Sequence, residues 1–496
     1  MEIDQVVLLG TAILLASILA ARLGAGLGLP SLLIFLGLGV VIGQLGLKFS
    51  DADLAHSLGF LALVFILAEG GFTTRWREIK PALPVAGLLA TIGVLVSVAL
   101  VAVFGFYVLG LDLPTAILLG AITSPTDAAA VFSVLRKVPL PNRVRATLEA
   151  ESGCNDAPIV LLVAMATDWA LGHGMEGGPM ALVGEIVGEL VGGLALGLVI
   201  GFAGVWVMRR VALPASGLYP LAAMGWAVLA YGSGVALHLS GFAAVYVASV
   251  VLGNGEMPHR AAIRSFAEGM GWIAQIGLFV MLGVLADATR IQWWSAVAGI
   301  AIGAFVTFVA RPLCVVVCAA WFKVPWREQA FVSWAGLRGA VPIIMATVPL
   351  AAGAPGASDL FDMVFVFVVV YTLLQAPTLP WAARVLGVSK GTDATEVEFE
   401  FAPLDNIQAD MMQVHVAEGS RLHGVSIREI RLPKNSVVSL IVRGGSPFAP
   451  ALDELVKAGD DLLIVTTSKD RRRVEDRFKA LSQYGRLARW RQSDES

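Results

Sequence analysis

Long apolar runs separated by short polar loops fill the chain up to about residue 388. A membrane-spanning helix needs about 20 mostly apolar residues, and these runs predict about thirteen spans. The predicted spans are 5–22, 30–47, 54–74, 82–110, 113–135, 145–171, 181–210, 215–237, 240–254, 266–286, 292–322, 328–352 and 360–386. The pattern therefore predicts an all-α polytopic membrane domain over residues 1–388.

The loops between these spans alternate in charge. One alternate set contains only Lys48 and Arg290 as basic residues. The other set contains sixteen basic residues: Arg22, Arg75, Arg77, Lys80, Arg136, Lys137, Arg143, Arg145, Arg209, Arg210, Arg260, Arg264, Lys323, Arg327, Arg384 and Lys390. Because short cytoplasmic loops are enriched in Lys and Arg, the basic set is expected to be cytoplasmic. The N-terminus is then expected outside and the C-terminus inside.

The character of the chain changes after the last span. Residues 389–410 are polar and acidic and are interpreted as a linker. Strand-like segments at 411–416, 437–442 and 462–465, with turn signals at Gly444-Gly445 and Gly459, predict a small soluble α/β domain over 411–480. Residues 481–496 form a basic tail. The basic stretch 471–491 is typical of a solvated helix, and contact of this stretch with anionic lipid near Trp490 is the alternative.

Composition agrees with a membrane protein and argues against several other classes. The chain is 57% hydrophobic and 15% charged, whereas soluble domains are about 25% charged. A net charge of −3 argues against nucleic acid as a partner. Cys154, Cys314 and Cys318 all lie in apolar segments and lack zinc-site spacing, so they are interpreted as helix-packing residues. No metal site or cofactor is expected beyond a transported ion.

Two carboxylates and an amide interrupt the sixth predicted span, at Glu151-Ser152-Gly153-Cys154-Asn155-Asp156. A charged side chain within the membrane is costly and marks a functional site by default. At helical spacing Ser152 and Asp156 share one face, while Glu151 and Asn155 share the adjoining face. The first pair is expected to face a cation and the second a neighbouring helix. A helix end in water is the alternative interpretation of these acids.

A second polar interruption lies midway along the fifth span, at Thr123-Ser124-Pro125-Thr126-Asp127. Pro125 lacks a backbone N–H and disfavours helix just before it. Unwound backbone at membrane depth is tolerated only where it is buried in protein or lines a cavity. The freed carbonyls and hydroxyls, together with Asp127, are therefore candidate cation ligands. A functionally silent proline kink is the alternative.

The twelfth span also looks interrupted, since Arg338 lies between Gly336 and Gly339 and Pro342 follows. A deeply placed arginine is expected to pair with an acid, and Glu151 is the candidate. The alternative is an arginine whose charge reaches the cytoplasmic surface. Broken helices in corresponding places of two halves indicate a midplane transport site between inverted repeats, here spans 1–6 and 8–13.

These residues resemble the NhaP-type monovalent cation:proton antiporters of the cation:proton antiporter-1 family. The resemblance covers about residues 1–390 and rests on Thr126-Asp127, Glu151-Ser152 through Asn155-Asp156, and Gly336-Leu337-Arg338-Gly339. It implies a thirteen-helix fold, a homodimer and a moving six-helix core. It also implies that Asp156 takes the cation or the proton, aided by Asp127, Ser152 and the Thr126 carbonyl. Glu151 would pair with Arg338 and Asn155. The Asn155-Asp156 pair resembles the electroneutral branch.

Residues 410–480 resemble the RCK-C (TrkA-C) regulatory domain, notably at 419–433 and 458–465. The resemblance implies pairing between domains and a small regulatory ligand. No Gly-x-Gly-x-x-Gly strand-turn-helix unit precedes this segment, so no nucleotide cofactor is expected. The appendage is more similar to that of potassium/proton antiporters than to that of sodium-specific ones.

The predicted function is secondary transport rather than enzyme catalysis. The chain is expected to exchange K⁺ or Na⁺ for H⁺ across the plasma (inner) membrane, electroneutrally, with K⁺ favoured and Na⁺/H⁺ exchange as the main alternative. A cation channel gated by the RCK-C-like domain is a remote alternative, although no Thr-Val-Gly-Tyr-Gly-like filter is present. An intramembrane aspartyl protease using Asp127 and Asp156 is another.

Overall fold

The computed structural model describes residues 3–27, 30–46, 51–135, 138, 140–173, 178–286, 291–390, 398–404, 409–416, 420–467 and 470–485. The chain forms two compact units, Met1–Ser389 and Lys390–Ser496. The first is helical and the second contains the β-sheet.

The first unit consists of eighteen α-helices among its described residues. They are α1 (Ile3–Leu27), α2 (Ser31–Gln44), α3 (Ala52–Thr73), α4 (Trp76–Ile79), α5 (Leu83–Leu88), α6 (Val94–Tyr107), α7 (Leu113–Thr123), α8 (Ala128–Leu135), α9 (Asn142–Ala170), α10 (Gly178–Arg210), α11 (Leu218–Ala236), α12 (Gly241–Asn254), α13 (Arg260–Leu285), α14 (Trp293–Phe305), α15 (Arg311–Ala319), α16 (Trp326–Trp334), α17 (Ala340–Ala351) and α18 (Ala357–Val385). Short 3₁₀ turns occupy Ala320–Phe322 and Val388–Lys390.

The predicted polytopic helical fold is confirmed. Each of the thirteen predicted spans coincides with a helix or a pair of helices within the described residues. Seven helical stretches there are long and apolar enough to cross a membrane, and shorter apolar helices accompany them. Two acids in the loops cap helices. Asp51 accepts a hydrogen bond from Leu54 N (3.0 Å) at the start of α3, and Asp112 accepts one from Thr115 N (3.2 Å) at the start of α7.

The fifth and twelfth spans are interrupted, as predicted. Residues 124–127 separate α7 from α8, and residues 335–339 separate α16 from α17. Pro125, Gly336 and Gly339 lie in these breaks, and Pro342 lies in the first turn of α17, where proline is tolerated. Each broken helix is the fifth of six spans in its half of the chain, which agrees with the predicted repeat.

Two further spans contain single π-helical turns that the sequence analysis did not predict. These turns are Leu89–Gly93, between α5 and α6, and Val306–Ala310, between α14 and α15. Pro312 follows the second turn and removes a helical hydrogen bond, a common cause of such irregularity. Cys314 donates to the Gly93 carbonyl (3.2 Å) and Cys318 to the Leu88 carbonyl (3.5 Å). These two cysteines therefore join α15 to the first π-turn, a packing role.

Some loops that the charge alternation places on the same side of the membrane contact each other. Arg264 Nη2 donates to the Thr73 carbonyl (2.8 Å), and Trp76 N donates to Asn254 Oδ1 (3.0 Å). Arg143 Nη2 approaches the Phe322 carbonyl at 3.5 Å. These contacts agree with the grouping of the loops by charge, and the assignment of the loops to the cytoplasm stays a prediction.

The described residues of the second unit form an antiparallel sheet and two helices. Its strands are β1 (Glu398–Leu404), β2 (Ala409–His415), β3 (Ser436–Arg443), β4 (Ser446–Phe448) and β5 (Asp461–Thr467), and its helices are α19 (Ile427–Ile430) and α20 (Arg471–Tyr484). The strand order is β1-β2-β5-β3-β4. The three predicted strands correspond to β2, β3 and β5. Gly444 and Gly445 have positive φ angles of 57° and 82° and turn the chain from β3 to β4, as their sequence predicts.

The predicted linker, 389–410, is corrected by the structure because it contains β1. This strand pairs with β2 from Glu398↔His415 to Leu404↔Ala409 and forms one edge of the sheet. Its partner β2 begins five residues after β1 ends, so the two strands are neighbours in sequence as well as in the sheet. Helix α20 buries Val474, Phe478 and Leu481, so it is a packed amphipathic helix rather than a wholly solvated one. Residues 486–496, including Trp490, lie outside the described residues.

An ion-pair cluster fixes the β3–β5 end of the second unit. Arg443 donates to both carboxylate oxygens of Asp460 (2.8 and 2.9 Å) and to Glu454 (3.0 Å), while Lys457 N donates to Asp460 (2.8 Å). Burial disfavours the charged form of Asp460, yet the hydrogen bonds from Arg443 and Lys457 N outweigh it and hold the pKa of that carboxyl below its usual range. The buried charge is thus stabilised by its partner.

We expect Arg443→Gln to destabilise this unit by about 3 kcal/mol, because Asp460 would remain buried without its cation. Hydrogen exchange of β5 amides in the full chain measures the effect. Since the folded-state pKa of Asp460 is depressed, its stabilising contribution is present at pH above about 3.9, its unfolded value, and is lost as the pH falls through the lower folded value. Unchanged β5 protection in Arg443→Gln at neutral pH would contradict this account.

Candidate ion-binding site at the helix crossing

The two interrupted helices touch backbone to backbone at their breaks. Asp127 N, in the first break, donates to the Leu337 carbonyl in the second at 2.8 Å. The Thr123 carbonyl, at the end of α7, accepts from Arg338 Nε at 3.4 Å. These bonds satisfy peptide groups that a continuous helix would have paired internally. The crossing therefore brings four half-helix ends, two positive and two negative, into one place.

Asp127 lies at the two positive ends. Its carboxylate caps α8 by accepting from Ala130 N at 3.1 Å. Gly339, the residue before α17, packs so closely on the same carboxylate that a Cβ there would collide with Asp127 Oδ2. A negative charge is stabilised at a helix N-terminus, and here two such ends converge. The close approach also explains why glycine occupies position 339.

Arg338 lies at the two negative ends. It is only 4% exposed, so its charge does not reach the surface as the alternative interpretation proposed. Besides the Thr123 carbonyl, it donates to the Gly336 carbonyl in the second break. A cation is stabilised by the carbonyls that a helix C-terminus leaves unpaired. Arg338 thus neutralises the carbonyl ends of α7 and α16, as Asp127 does the amide ends of α8 and α17.

The predicted pairing of Glu151 with Arg338 is wrong, because Arg311 holds Glu151. Arg311 Nη2 donates to Glu151 Oε2 at 2.9 Å and Nη1 donates to Oε1, which makes the pair bidentate. Both side chains are buried. Arg311 also donates to the Val332 carbonyl near the end of α16 (3.3 Å). Arg311 is not among the predicted site residues, although a lone arginine inside an apolar run is a sufficient signal of a site.

Thr126 connects Glu151 with Asn155. Asn155 Nδ2 donates to Thr126 Oγ1 at 3.1 Å, and Thr126 Oγ1 donates to Glu151 Oε1 at 3.4 Å. The predicted direct pairing of Glu151 with Asn155 is therefore replaced by a link through a hydroxyl of the first break. This link and the Arg311 pair hold α9 against the crossing.

Asp156 lies near the crossing on α9 and is 6% exposed. Its Oδ1 atom is buried without a hydrogen-bond partner among the described residues. Asp127 is close enough to act on it electrostatically. Ser152, one turn earlier, accepts from Ala128 N at 3.2 Å and so meets the first residue of α8. Since buried polar atoms are nearly always paired, the open oxygen of Asp156 needs an explanation.

The hydroxyls of Thr123 and Ser124 are used within their own helix. Thr123 Oγ1 donates to the Leu119 carbonyl (2.8 Å) and Ser124 Oγ to the Gly120 carbonyl (2.6 Å). They satisfy carbonyls in the last turn of α7. These two hydroxyls are consequently not left for a ligand.

The membrane unit matches a known family. Residues 10–385 match the family described as sodium/hydrogen exchanger, transmembrane. The chain belongs to this family. Residues 411–479 of the exchanger match the TrkA-C domain, as the resemblance of the second unit implied.

Several curated relatives extend over nearly the whole exchanger. The K(+)/H(+) antiporter NhaP2 of Shewanella oneidensis is 31% identical and covers 99% of this chain and 86% of its own length. The K(+)/H(+) antiporter NhaP of Alkalimonas amylolytica is also 31% identical, over 94% of this chain and 82% of its own. The Na(+)/H(+) antiporter ApNhaP of Aphanothece halophytica is 27% identical, over 70% and 69% respectively.

A solved structure shares the fold. The sodium proton antiporter MjNhaP1 of Methanocaldococcus jannaschii superposes with a TM-score of 0.66 and 23% sequence identity, covering 76% of the exchanger and all of that chain. At this identity the likeness concerns the fold of the membrane unit.

We expect Glu151→Gln to destabilise the exchanger by about 3–5 kcal/mol, because it leaves Arg311 buried without its anion. Arg311→Lys should also destabilise it, since an ammonium group does not reproduce a bidentate pair. The thermal denaturation midpoint of the purified protein checks both. The matched control is Arg209→Lys, whose partner Glu256 lies at 3.7 Å on the exposed surface and should contribute little. Equal midpoints for the buried and exposed variants would contradict the assignment.

Gly339→Ala should push the Asp127 carboxylate away from the start of α17 and lower the stability by about 1–3 kcal/mol through overpacking. The control is Gly277→Ala in α13, where an added methyl group meets no atom within 4 Å. Helix propensity favours alanine at that position. If the thermal denaturation midpoint of Gly339→Ala matches or exceeds that of Gly277→Ala, then the contact with Asp127 does not require glycine at position 339.

Proposed function

We propose that the chain exchanges K⁺ for H⁺ across the plasma membrane by competition of the two ions for Asp156. The observation that carries the proposal is the buried Asp156 carboxyl with an unpartnered oxygen, beside a second acid at a helix crossing. Family membership supports transport, and it argues against the channel and protease alternatives.

Competition follows from the cost of burying a charge. An isolated carboxylate in a low-dielectric site is strongly destabilised unless a proton or a cation neutralises it. Asp156 therefore holds one or the other, and only the neutralised carrier crosses between its two states. Because binding of one ion excludes the other, this single carboxyl couples cation movement to proton movement.

The cation would be held by oxygen ligands around the first break. Asp156 and Asp127 supply carboxylates, Ser152 a hydroxyl, and Thr126 its backbone carbonyl. Carboxylate, carbonyl and hydroxyl oxygens are the ligands that hard monovalent cations prefer, and unwound helices supply them in transporters. Glu151, Asn155, Arg311 and Arg338 hold the surrounding helices and do not bind the ion.

Potassium is preferred as the substrate because relatives named as K(+)/H(+) antiporters match nearly the whole chain, including the second unit. The relative named as a Na(+)/H(+) antiporter matches a smaller part. Sodium exchange by the same site is the second candidate.

The proposed exchange is electroneutral. Asn155 occupies the position before Asp156, so one titratable carboxyl, not two, serves the exchange at this pair. One proton for one cation carries no net charge and ignores the membrane voltage. An uncompensated charge would instead add about 2.3 kcal/mol per 100 mV to the driving force.

The wider assembly follows from the same family assignment. We propose that two chains form a homodimer, with the basic loops and the TrkA-C domain on the cytoplasmic side. The TrkA-C domain is proposed to bind a small regulatory ligand that adjusts the exchange rate. Contact of the basic C-terminal residues with anionic lipid stays a prediction.

Asp156→Asn should abolish exchange while leaving the protein folded, because the amide neither takes up a proton nor neutralises a cation. The assay is loss of an imposed pH gradient in everted vesicles on addition of K⁺ and then Na⁺. Asp168→Asn is the matched control, since Asp168 lies on the same helix but is exposed. Its exchange rate should equal that of the wild type.

The responses of the pH gradient to K⁺ and to Na⁺ distinguish K⁺/H⁺ exchange from Na⁺/H⁺ exchange. Collapse of the gradient by K⁺ alone supports the proposed substrate, and collapse by Na⁺ alone replaces it with the second candidate. Full exchange by Asp156→Asn would overturn the mechanism. A dependence of the K⁺-driven rate on voltage, imposed with a lipophilic cation, would overturn electroneutrality.

A further inference from the structure

One face of α9 carries a second acid besides Asp156. Glu149, Gly153 and Asp156 follow one another at intervals of four and three residues, so they share a helical face. At a rise of about 1.5 Å per residue, Glu149 lies about 10 Å from Asp156 along the axis, towards the end predicted to be cytoplasmic. Glu149 has no role in the proposed ion site. It is partly buried, so its charge also calls for a partner.

A tyrosine hydroxyl lies between these two acids. Tyr246 of α12 packs on Gly153 so closely that a Cβ at position 153 would collide with the hydroxyl oxygen. Any larger residue at 153 would expel that hydroxyl from the helix surface. The hydroxyl is also within electrostatic range of both Glu149 and Asp156. The Tyr246 hydroxyl therefore lies against α9 between Glu149 and Asp156.

Thr74 connects the tyrosine with Glu149. Thr74 Oγ1 approaches Glu149 Oε1 at 3.2 Å and also bonds the Gly70 carbonyl at 2.7 Å. The Tyr246 hydroxyl interacts with the Thr74 side chain. Tyr246, Thr74 and Glu149 thus follow one another on α12, at the end of α3 and on α9, and the Thr74–Glu149 hydrogen bond is the direct contact among them.

This line reaches the protein surface. A small crevice between α3, α12 and α13 is lined by Thr73, Thr74, Gly253, Arg260 and Arg264. Arg264 is 40% exposed and lies 3.5 Å from the exposed Glu268. Solvent therefore comes close to Thr74 from one side while Asp156 is buried on the other.

Several charged groups surround Glu149. Arg145, Glu78 and Arg264 act on it electrostatically. Glu69 of α3 is influenced in turn by Glu268, Arg264 and Glu149. The charged groups described around Glu149 therefore include both signs, whereas Glu151 is held by a bidentate ion pair with Arg311.

We infer that Tyr246, Thr74 and Glu149 form the path by which protons travel between Asp156 and the crevice, with Tyr246 as the group that takes the proton from Asp156. The inference deepens the proposed function and rests on it. Protonated Asp156 passes its proton to the Tyr246 oxygen, directly or through one water. Tyr246 passes its own hydrogen to Thr74, and Thr74 passes its hydrogen to Glu149. Asp156 loses one proton, Glu149 gains one, and both hydroxyls are regenerated. Glu149, which is half-buried beside Thr74, then releases the proton to water at the crevice that Thr74 lines.

The test compares Tyr246→Phe and Glu149→Gln with the wild type in vesicles, using K⁺ as the probe and Na⁺ in parallel. The expected result is a fall of at least about tenfold in maximal exchange rate, as for loss of a positioned proton donor, with the KM for the cation within about twofold. The rate in D₂O should fall more in the variants than in the wild type, because proton transfer becomes limiting. The controls are Tyr231→Phe, on α11, and the exposed Glu185→Gln, on α10.

The double variant separates a shared path from two independent defects. If both residues serve one path, Tyr246→Phe with Glu149→Gln should lose no more rate than the slower single variant. Multiplied losses, a rise in KM alone, or a rate for Tyr246→Phe equal to that of Tyr231→Phe would each overturn the inference. Absence of cation-driven proton movement in the wild type would instead overturn the proposed function, and the path with it.

Discussion

The pairing of charges with half-helix ends is the interaction on which the membrane site depends. Two helices break at the same place, and each break exposes amide groups on one side and carbonyl groups on the other. Asp127 lies at the amide ends of α8 and α17, while Arg338 donates to carbonyls that end α7 and follow α16. Without these charges the crossing would bury unpaired backbone groups, which lipid does not satisfy.

Two acids on α9, Glu151 and Asp156, have different roles at this crossing. Glu151 is bound bidentately by Arg311 and linked through Thr126 to Asn155, so it fastens α9 to the crossing. Asp156 lies within electrostatic range of Asp127, and its Oδ1 atom is buried without a hydrogen-bond partner in the part of the chain that the structure describes. The proposed mechanism uses that difference, because an acid already neutralised by arginine has no need of a cation or a proton. Glu151 thus stabilises the fold, and Asp156, five residues later, is the acid proposed to exchange ions.

Much of this was predictable from local sequence. Span positions follow from hydrophobic length, and the breaks follow from Pro125, Gly336 and Gly339, whose backbone properties act locally. The partner of Glu151 was not predictable in this way, because Arg311 and Arg338 both sit in apolar surroundings and only packing decides between them. Strand β1 was predictable, because Glu398-Phe399-Glu400-Phe401 alternates acidic and aromatic residues as a strand does, and the acidic charge of the segment led to its interpretation as a linker. The π-turns depend on neighbouring helices and gave no signal beyond Pro312.

The central claim is that a cation and a proton compete for the Asp156 carboxyl at the helix crossing. The most direct measurement is proton release from the purified protein in weakly buffered solution when K⁺ is added, with the cation bound measured in parallel. The account predicts about one proton released for each cation bound, because one carboxyl exchanges one for the other. Cation binding without proton release over the pH range in which exchange occurs would contradict it.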